Sequence, residues 1–205
     1  MIDFYAWQTS NAQRVGIMLE ECGLPYRLHR INLMQGDQLA PAFLAINPAG
    51  AVPAIVDPDG PGGATVTLSQ SGAIGLYLAE KTGRFMPRDP VRRALALQWS
   101  MLALTDCVGA SMSMFLLATM APEKSPADVA FFGERLLRFL KVADDRLADR
   151  AWLADELSFA DFALYPLWVA HRALADTAGG LPHLERWGAA LAARPAVAKA
   201  MQPLA

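Results

Sequence analysis

The chain has 205 residues, 54% of them hydrophobic, with 18 Lys and Arg against 20 Asp and Glu for a net charge of −2. That length and apolar content bury a sizeable core in one large or two small domains and exclude a disordered chain. The slightly acidic balance, with no local Lys/Arg cluster, excludes the electrostatic footprint of a general nucleic-acid binder. The opening "MIDFYA" is strand-like and lacks a basic region followed by an apolar signal core, and no run of about 18 apolar residues stands out, so a cytoplasmic protein without a membrane partner is expected.

"IDFYA" predicts the first strand, and "NAQRVGIMLEEC" predicts a helix stopped by Gly23, a residue suited to the left-handed cap. Val15, Met18, Leu19 and Cys22 recur at helical spacing, so Cys22 reads as a packed apolar residue; with the distant Cys107 it forms no C-x-x-C or metal-ligand spacing. "YRLHRINL" follows as a second strand of poor alternation, "APAFLAIN" as a short helix ending before Pro48, and "PAIVD" as a third strand. "PDGPGGAT" is a turn and "VTL" completes the hairpin. "SGAIGLYLAEKTG" is a helix with Ile74, Tyr77 and Leu78 on one face and Gly83 at its end. Strands alternating with helices predict an α/β domain.

After "RFMPRDP" no strand-like alternation recurs, and helical patterns run around 90–120, 126–149, 159–175 and 182–193, with a short last one after Pro195. The expected division is a first domain over 1–83, a linker over 84–90 and an all-helical domain over 91–205. At "LSFADF", Ser158 is placed to cap a helix while Asp161 reaches back to its N–H, with Leu157 and Phe162 at the positions of a hydrophobic staple.

Three places in the first domain carry potential chemistry. Thr9, Ser10 and Asn11 stand at the mouth of the first helix, where unpaired N–H groups and the positive end of the helix dipole favour an anion or a thiolate; the ordinary alternative is that Ser10 or Asn11 is only the N-cap. Val52 precedes Pro53 at the start of a strand and offers its backbone to anything alongside, and the bond between them is a candidate cis bond; a proline between loop and strand is also commonplace. Gln70 and Ser71 open another helix, which binds a carboxylate or is merely capped. His29, His171 and His183 are scattered and support no metal site.

The order of these features, with "FLAINPAGAVPAIVD", "SQSGAIGLYLAEKTG", "LSFADFALYP" and "PHLERWGAALAARPAVAKA", resembles the glutathione transferase superfamily over the whole chain. The resemblance implies a thioredoxin-like domain with a mixed four-stranded sheet and a C-terminal helical bundle. Within the superfamily, "MIDFYAWQTSN" and "LMQGDQLAPAFLAINP" look most like the bacterial nu-type and related yeast-prion-like branch, whose members reduce disulfides with glutathione and without a protein cysteine.

By that resemblance Thr9 and Asn11 address the glutathione sulfur, while Ser10 stands near the activating serine of other classes. Gln38 meets the glycine end, Val52 beside Pro53 the cysteinyl backbone, and Gln70 with Ser71 the γ-glutamyl end. Tyr5 aligns with the tyrosine of further classes but lies on an alternating strand and reads as a packed aromatic. Met112 and Phe115 are candidates for an apolar substrate pocket, or else belong to a core stripe, and Asp106 is a candidate contact to the partner of a homodimer. Ala51 replaces a frequent basic residue, Gln70 replaces Glu, and Phe131 and Phe132 stand where the branch tends to carry an arginine for a second glutathione. The expected function is a glutathione-dependent transferase or thiol–disulfide oxidoreductase, with glutathione and a small apolar electrophile or disulfide as partners and no metal. The alternative is a non-catalytic binding or regulatory protein that keeps the fold.

Overall fold

The computed structural model describes residues 1–203. The chain groups into two compact units, one formed by Met1–Met86 together with the segment from Ala192 onward, the other by Pro87–Leu191.

In the first unit four strands, β1 (Ile2–Ala6), β2 (Tyr26–Arg30), β3 (Ala54–Asp57) and β4 (Val66–Ser69), form one sheet in the order β2-β1-β3-β4. β1 runs parallel to β2 and antiparallel to β3, and β4 returns antiparallel to β3. The predicted second strand ends at Arg30, short of "INL", in keeping with its poor alternation. On β1, Ile2, Phe4 and Ala6 are buried and alternate with the half-buried Asp3 and Tyr5, so each face of the sheet has its own layer. Helices α1 (Ser10–Cys22) and α3 (Ser71–Thr82) pack against one another. Tyr5 and Trp7 instead join Phe43 of α2 (Pro41–Leu44), Val52 and Ala54 in a separate apolar cluster.

Gly23 and Gly83 end α1 and α3 in the left-handed conformation, φ 67° and 65°, as their positions in the sequence predict. The predicted helix over "APAFLAIN" is shorter than expected, a single turn preceded by a 3₁₀ turn over Asp37–Leu39. Asp57, nearly inaccessible, ties β3 to α3 by accepting the Tyr77 hydroxyl at 2.6 Å and the Lys81 ammonium at 3.0 Å. Burial pushes this carboxyl up, but hydrogen bonds from Tyr77, Lys81 and the Asp59 N–H outweigh it and leave the group below its ordinary range.

The second unit is helical: α4 (Pro90–Met101), α5 (Val108–Thr119), α6 (Pro126–Arg146), α7 (Phe159–Thr177) and α8 (Pro182–Ala192). α4 and α5 are one continuous run, joined by a π-helical segment over Leu102–Cys107 that the sequence pattern does not announce. Leu136, Leu140, Phe159, Phe162, Leu164, Trp168, Leu184 and Trp187 make up much of the core. The capping box forms as expected, Asp161 Oδ2 accepting both the Ser158 N–H at 3.0 Å and its hydroxyl at 3.3 Å. Asp144 of α6 accepts the His183 and Leu184 N–H groups, each at 2.8 Å, and so satisfies the first turn of α8.

The last described helix, α9 (Pro195–Ala200), packs on α1 in the first unit, whereas the sequence reading assigned all of 91–205 to the helical domain. Arg194 grips Glu21 through two bonds of 2.6 and 2.7 Å, Lys199 reaches Glu20 at 2.8 Å, and Ala200 lies over Gly16. No hydrophobic period encodes a return of this kind, because its partners lie more than 170 residues apart in sequence.

Candidate functional site

The sheet register brings the candidate residues of the first unit to one edge. Tyr5, Ala54 and Ser69 lie in a row across β1, β3 and β4. The chain just beyond that row consists of Trp7 to Asn11 after β1, Val52 and Pro53 before β3, and Gln70 and Ser71 after β4. β2 ends at the same edge, since Arg30 pairs with Ala6, and Gln38 follows in the next loop. The N-termini of α1 and α3 therefore both open there, with their unpaired N–H groups and positive dipole ends.

Thr9, not Ser10 or Asn11, is the N-cap of α1. Its backbone is extended at φ −137° and its Oγ1 accepts the Ala12 N–H at 3.2 Å. Because the oxygen serves the helix as acceptor, the Thr9 hydroxyl hydrogen is available to another acceptor. Ser10 and Asn11 form the first turn, and their side chains make no hydrogen bond among the described residues.

Gln70 caps α3 by backbone only, at φ 70° and ψ 111°, a strained conformation for a residue with a Cβ. Behind it Ser71 is 8% exposed and accepts from Arg14 at 3.4 Å. Arg14 is completely buried in α1, so a guanidinium charge lies directly beneath the Ser71 hydroxyl. The Val52–Pro53 bond is cis. Val52 is buried, yet its N–H and C=O have no hydrogen-bond partner among the described residues. The Oε1 of Gln38 is likewise buried without a partner. A binding edge lined by unpaired backbone groups and two helix N-termini suits a peptide-like anion.

Residues 9–81 match the glutathione S-transferase N-terminal domain, and residues 107–195 match the glutathione S-transferase C-terminal domain. The chain belongs to the glutathione S-transferase family. It is 36% identical over 206 residues to the disulfide-bond oxidoreductase YfcG of Escherichia coli, across 98% of this chain and 94% of that protein. Among solved structures it is similar to a glutathione transferase from Pseudomonas putida with one glutathione disulfide bound per subunit, at TM-score 0.92 and 32% identity over 100% of this chain and 92% of that one. It is also similar to a glutathione transferase from Burkholderia graminis with two glutathione molecules bound per subunit, at TM-score 0.89 and 34% identity over 98% and 87%. The family and fold expected from the sequence are those found.

As a glutathione S-transferase, the protein has a tyrosine and two cysteines whose settings bear on the chemistry. Tyr5 stacks on His29 with ring centroids 4.6 Å apart, and burial followed by the Asp3 carboxylate pushes its phenol up, which keeps it protonated. Cys22 is half-buried with its sulfur 3.3 Å from the Thr82 hydroxyl, and burial pushes this thiol up as well. Cys107 is buried. Neither sulfur has the setting of an activated nucleophile. A cavity of about 260 Å³ in this unit lies between β1, β2, α1 and α9, lined by Phe4, Tyr26, Gly16 and Ala200, and reaches Trp7 at the start of the binding edge.

In the helical unit Met112 and Phe115 are exposed, by 44% and 54%, rather than packed as a core stripe. Asp106 sits half-buried in the π-helical segment, where Thr105 donates to it at 3.3 Å. Phe131 is exposed and meets Phe132 edge-on, and Arg135 and Arg138 follow it on the same exposed face. Among the described residues no group of three or more His, Cys, Asp or Glu side chains is placed to hold a metal ion. Sequence reasoning missed Arg14 and Asn47. The first shows in sequence only as a charge next to the apolar Val15 and one turn before Ile17 and Met18, and the second as the polar member of an Asn-Pro pair ahead of the loop to β3.

Proposed function

We propose that the protein is a glutathione-dependent thiol–disulfide oxidoreductase or transferase whose nucleophile is the sulfur of bound glutathione. The observation that carries this reading is the unpaired backbone of the buried Val52 beside the converging N-termini of α1 and α3. Val52 pairs with the cysteinyl N–H and C=O, Gln70 and Ser71 hold the γ-glutamyl end over the buried Arg14, and Gln38 receives the glycine end. The Thr9 hydroxyl and Asn11 then share the sulfur and favour its thiolate. Attack of that sulfur on a disulfide forms a mixed disulfide and releases the other half as a thiolate. Attack on an electrophilic carbon forms a thioether and either expels a leaving group with its electron pair or, on adding to an activated double bond, leaves a carbanion that takes a proton from water. Neither needs a protein cysteine, consistent with the settings of Cys22 and Cys107. A cytoplasmic location belongs to this proposal and accords with two cysteines that remain free.

Ser71→Ala tests the cradle. A hydrogen bond to a charged group contributes about 1.5–3 kcal/mol, so glutathione affinity measured by calorimetry should fall about 10- to 150-fold while the melting temperature changes little. Unchanged affinity in the folded variant removes Ser71 from the site, and absence of saturable glutathione binding by the wild-type protein favours the non-catalytic alternative.

The same proposal includes a homodimer. The run Pro90–Thr119 has a mean hydropathy of 1.6 in its most apolar stretch, long and apolar enough by composition to cross a membrane, yet only 17% of that stretch is buried. Met101, Met112, Phe115 and Leu116 stand exposed on it, and Met120 just past its end. A second copy covering part of this surface, with Asp106 as a cross-subunit contact and Met112 and Phe115 left to the second substrate, accounts for the exposure. Sedimentation at micromolar concentration should give a dimer without detergent; a monomer there refutes this part.

A further inference from the structure

The structure assigns a positioning role to Asn47, resting on the reading that Val52 pairs with the cysteinyl backbone of glutathione. Asn47 is 3% exposed and closes the loop over 47–51 three times. Its backbone oxygen accepts the Gly50 N–H at 3.0 Å, its Oδ1 accepts the Ala49 N–H at 3.2 Å, and its Nδ2 donates to the Ala51 oxygen at 2.5 Å. The partners fix which way the carboxamide faces: reversed, it sets oxygen against a carbonyl and an amino group against an N–H.

The peptide between Ala51 and Val52 is trans, the cis bond being the next one, so its C=O and N–H point in opposite directions. Drawing the Ala51 carbonyl inward onto Asn47 therefore turns the Val52 N–H outward from the loop. That N–H has no partner among the described residues, although Val52 is only 9% exposed. A ligand that supplies an acceptor finds this donor already aimed, because Asn47 fixes in advance the direction in which it points.

Gly50 lets the loop close this tightly. It has φ 59°, and a Cβ there meets Leu39 Cδ2 at 3.2 Å and the Gln38 oxygen at 3.3 Å, so the loop is also braced against the turn that carries Gln38.

The test measures the affinities of glutathione and of an analogue whose cysteinyl carbonyl oxygen is replaced by sulfur, a far weaker acceptor. The proteins are the wild type, Asn47→Ala and Asn47→Asp. The aspartate keeps the acceptor for Ala49 but presents an oxygen where the donor to Ala51 stood. The wild type should prefer glutathione by about 3- to 10-fold, the worth of one neutral hydrogen bond. Both variants should lose that preference, by weaker binding of glutathione with the analogue's affinity unchanged, while kcat at saturating glutathione stays near wild type. Variants that retain the preference, or weaken both ligands equally, overturn the positioning role and leave the Val52 reading standing. A wild type indifferent to the substitution overturns the Val52 reading itself. Asn47→Ser, which keeps a short donor at the position, carries the same test if either variant fails to fold.

Discussion

Asp161→Ala should destabilise the helical unit by about 3–5 kcal/mol, the cost of stripping a buried charged acceptor from its donors. The Asp161 carboxylate is wholly inaccessible and gathers the Leu153 N–H at 3.0 Å, the Ser158 N–H at 3.0 Å and the Trp187 indole N–H at 2.9 Å. Its removal orphans three N–H donors and the Ser158 hydroxyl inside the core and takes away the Asp161 half of the α7 capping box. Burial raises the carboxyl to about 6 against those donors, which pull it down. The folded protein thus holds this proton up to about pH 6, whereas the unfolded chain releases it near 4. The stability contributed by Asp161 is therefore greatest below pH 4 and declines as pH rises through 6. Urea unfolding followed by tryptophan fluorescence should show a wider gap between wild type and Asp161→Ala at pH 4 than at pH 7. A variant within about 1 kcal/mol of wild type at pH 7 contradicts the buried network.

The second large effect concerns the sulfur. Thr9→Ala should raise the pKa of the bound glutathione thiol and lower kcat by about 10²-fold, the scale seen when one preorganised donor to a developing anion is lost. Asn11→Ala should act in the same direction, and Ser10→Ala should leave most activity. Thr9 also caps α1, so its alanine variant loses about 1 kcal/mol of helix stability besides. Thr9→Ser keeps both the cap and the hydroxyl and should be nearly silent, which separates the chemical role from the structural one. The measurement is the pH titration of thiolate absorbance with glutathione bound. A shift confined to Ser10→Ala assigns the sulfur to Ser10 instead.

Most of the fold was legible because short-range signals agreed with one another. Gly23 and Gly83 ended the helices they were expected to end, and the Pro- and Gly-rich turn closed the expected hairpin. The candidate residues could be located because each lies at a strand end or helix mouth, where turn chemistry shows in sequence. The identity of the α1 cap was misread because Thr9, Ser10 and Asn11 are all competent caps, and only backbone dihedrals decide among neighbours. Arg14 beneath Ser71 was out of reach for another reason: the two lie 57 residues apart and meet only once α1 and α3 have packed. The exposure of Met112 and Phe115 was also hidden, since an apolar stripe has the same period whether it meets a core or solvent.

The clamp of Arg194 and Lys199 on Glu21 and Glu20 has a consequence for the order in which the protein is made. The first unit is discontinuous along the chain, and its α1 lacks its last packing partners until α9 has been synthesised. At about 5–20 residues per second, translation leaves roughly ten seconds or more between α1 and α9 emerging. During that interval Gly16 lacks Ala200, Glu21 lacks Arg194 and Glu20 has the Tyr26 hydroxyl but not Lys199, while Pro87–Leu191 is completed as an uninterrupted segment. The unit that carries the candidate edge is begun first and closed last, so a ribosome stalled after α8 holds a chain with every residue of that edge in its sequence but without the segment that fastens α1 from behind.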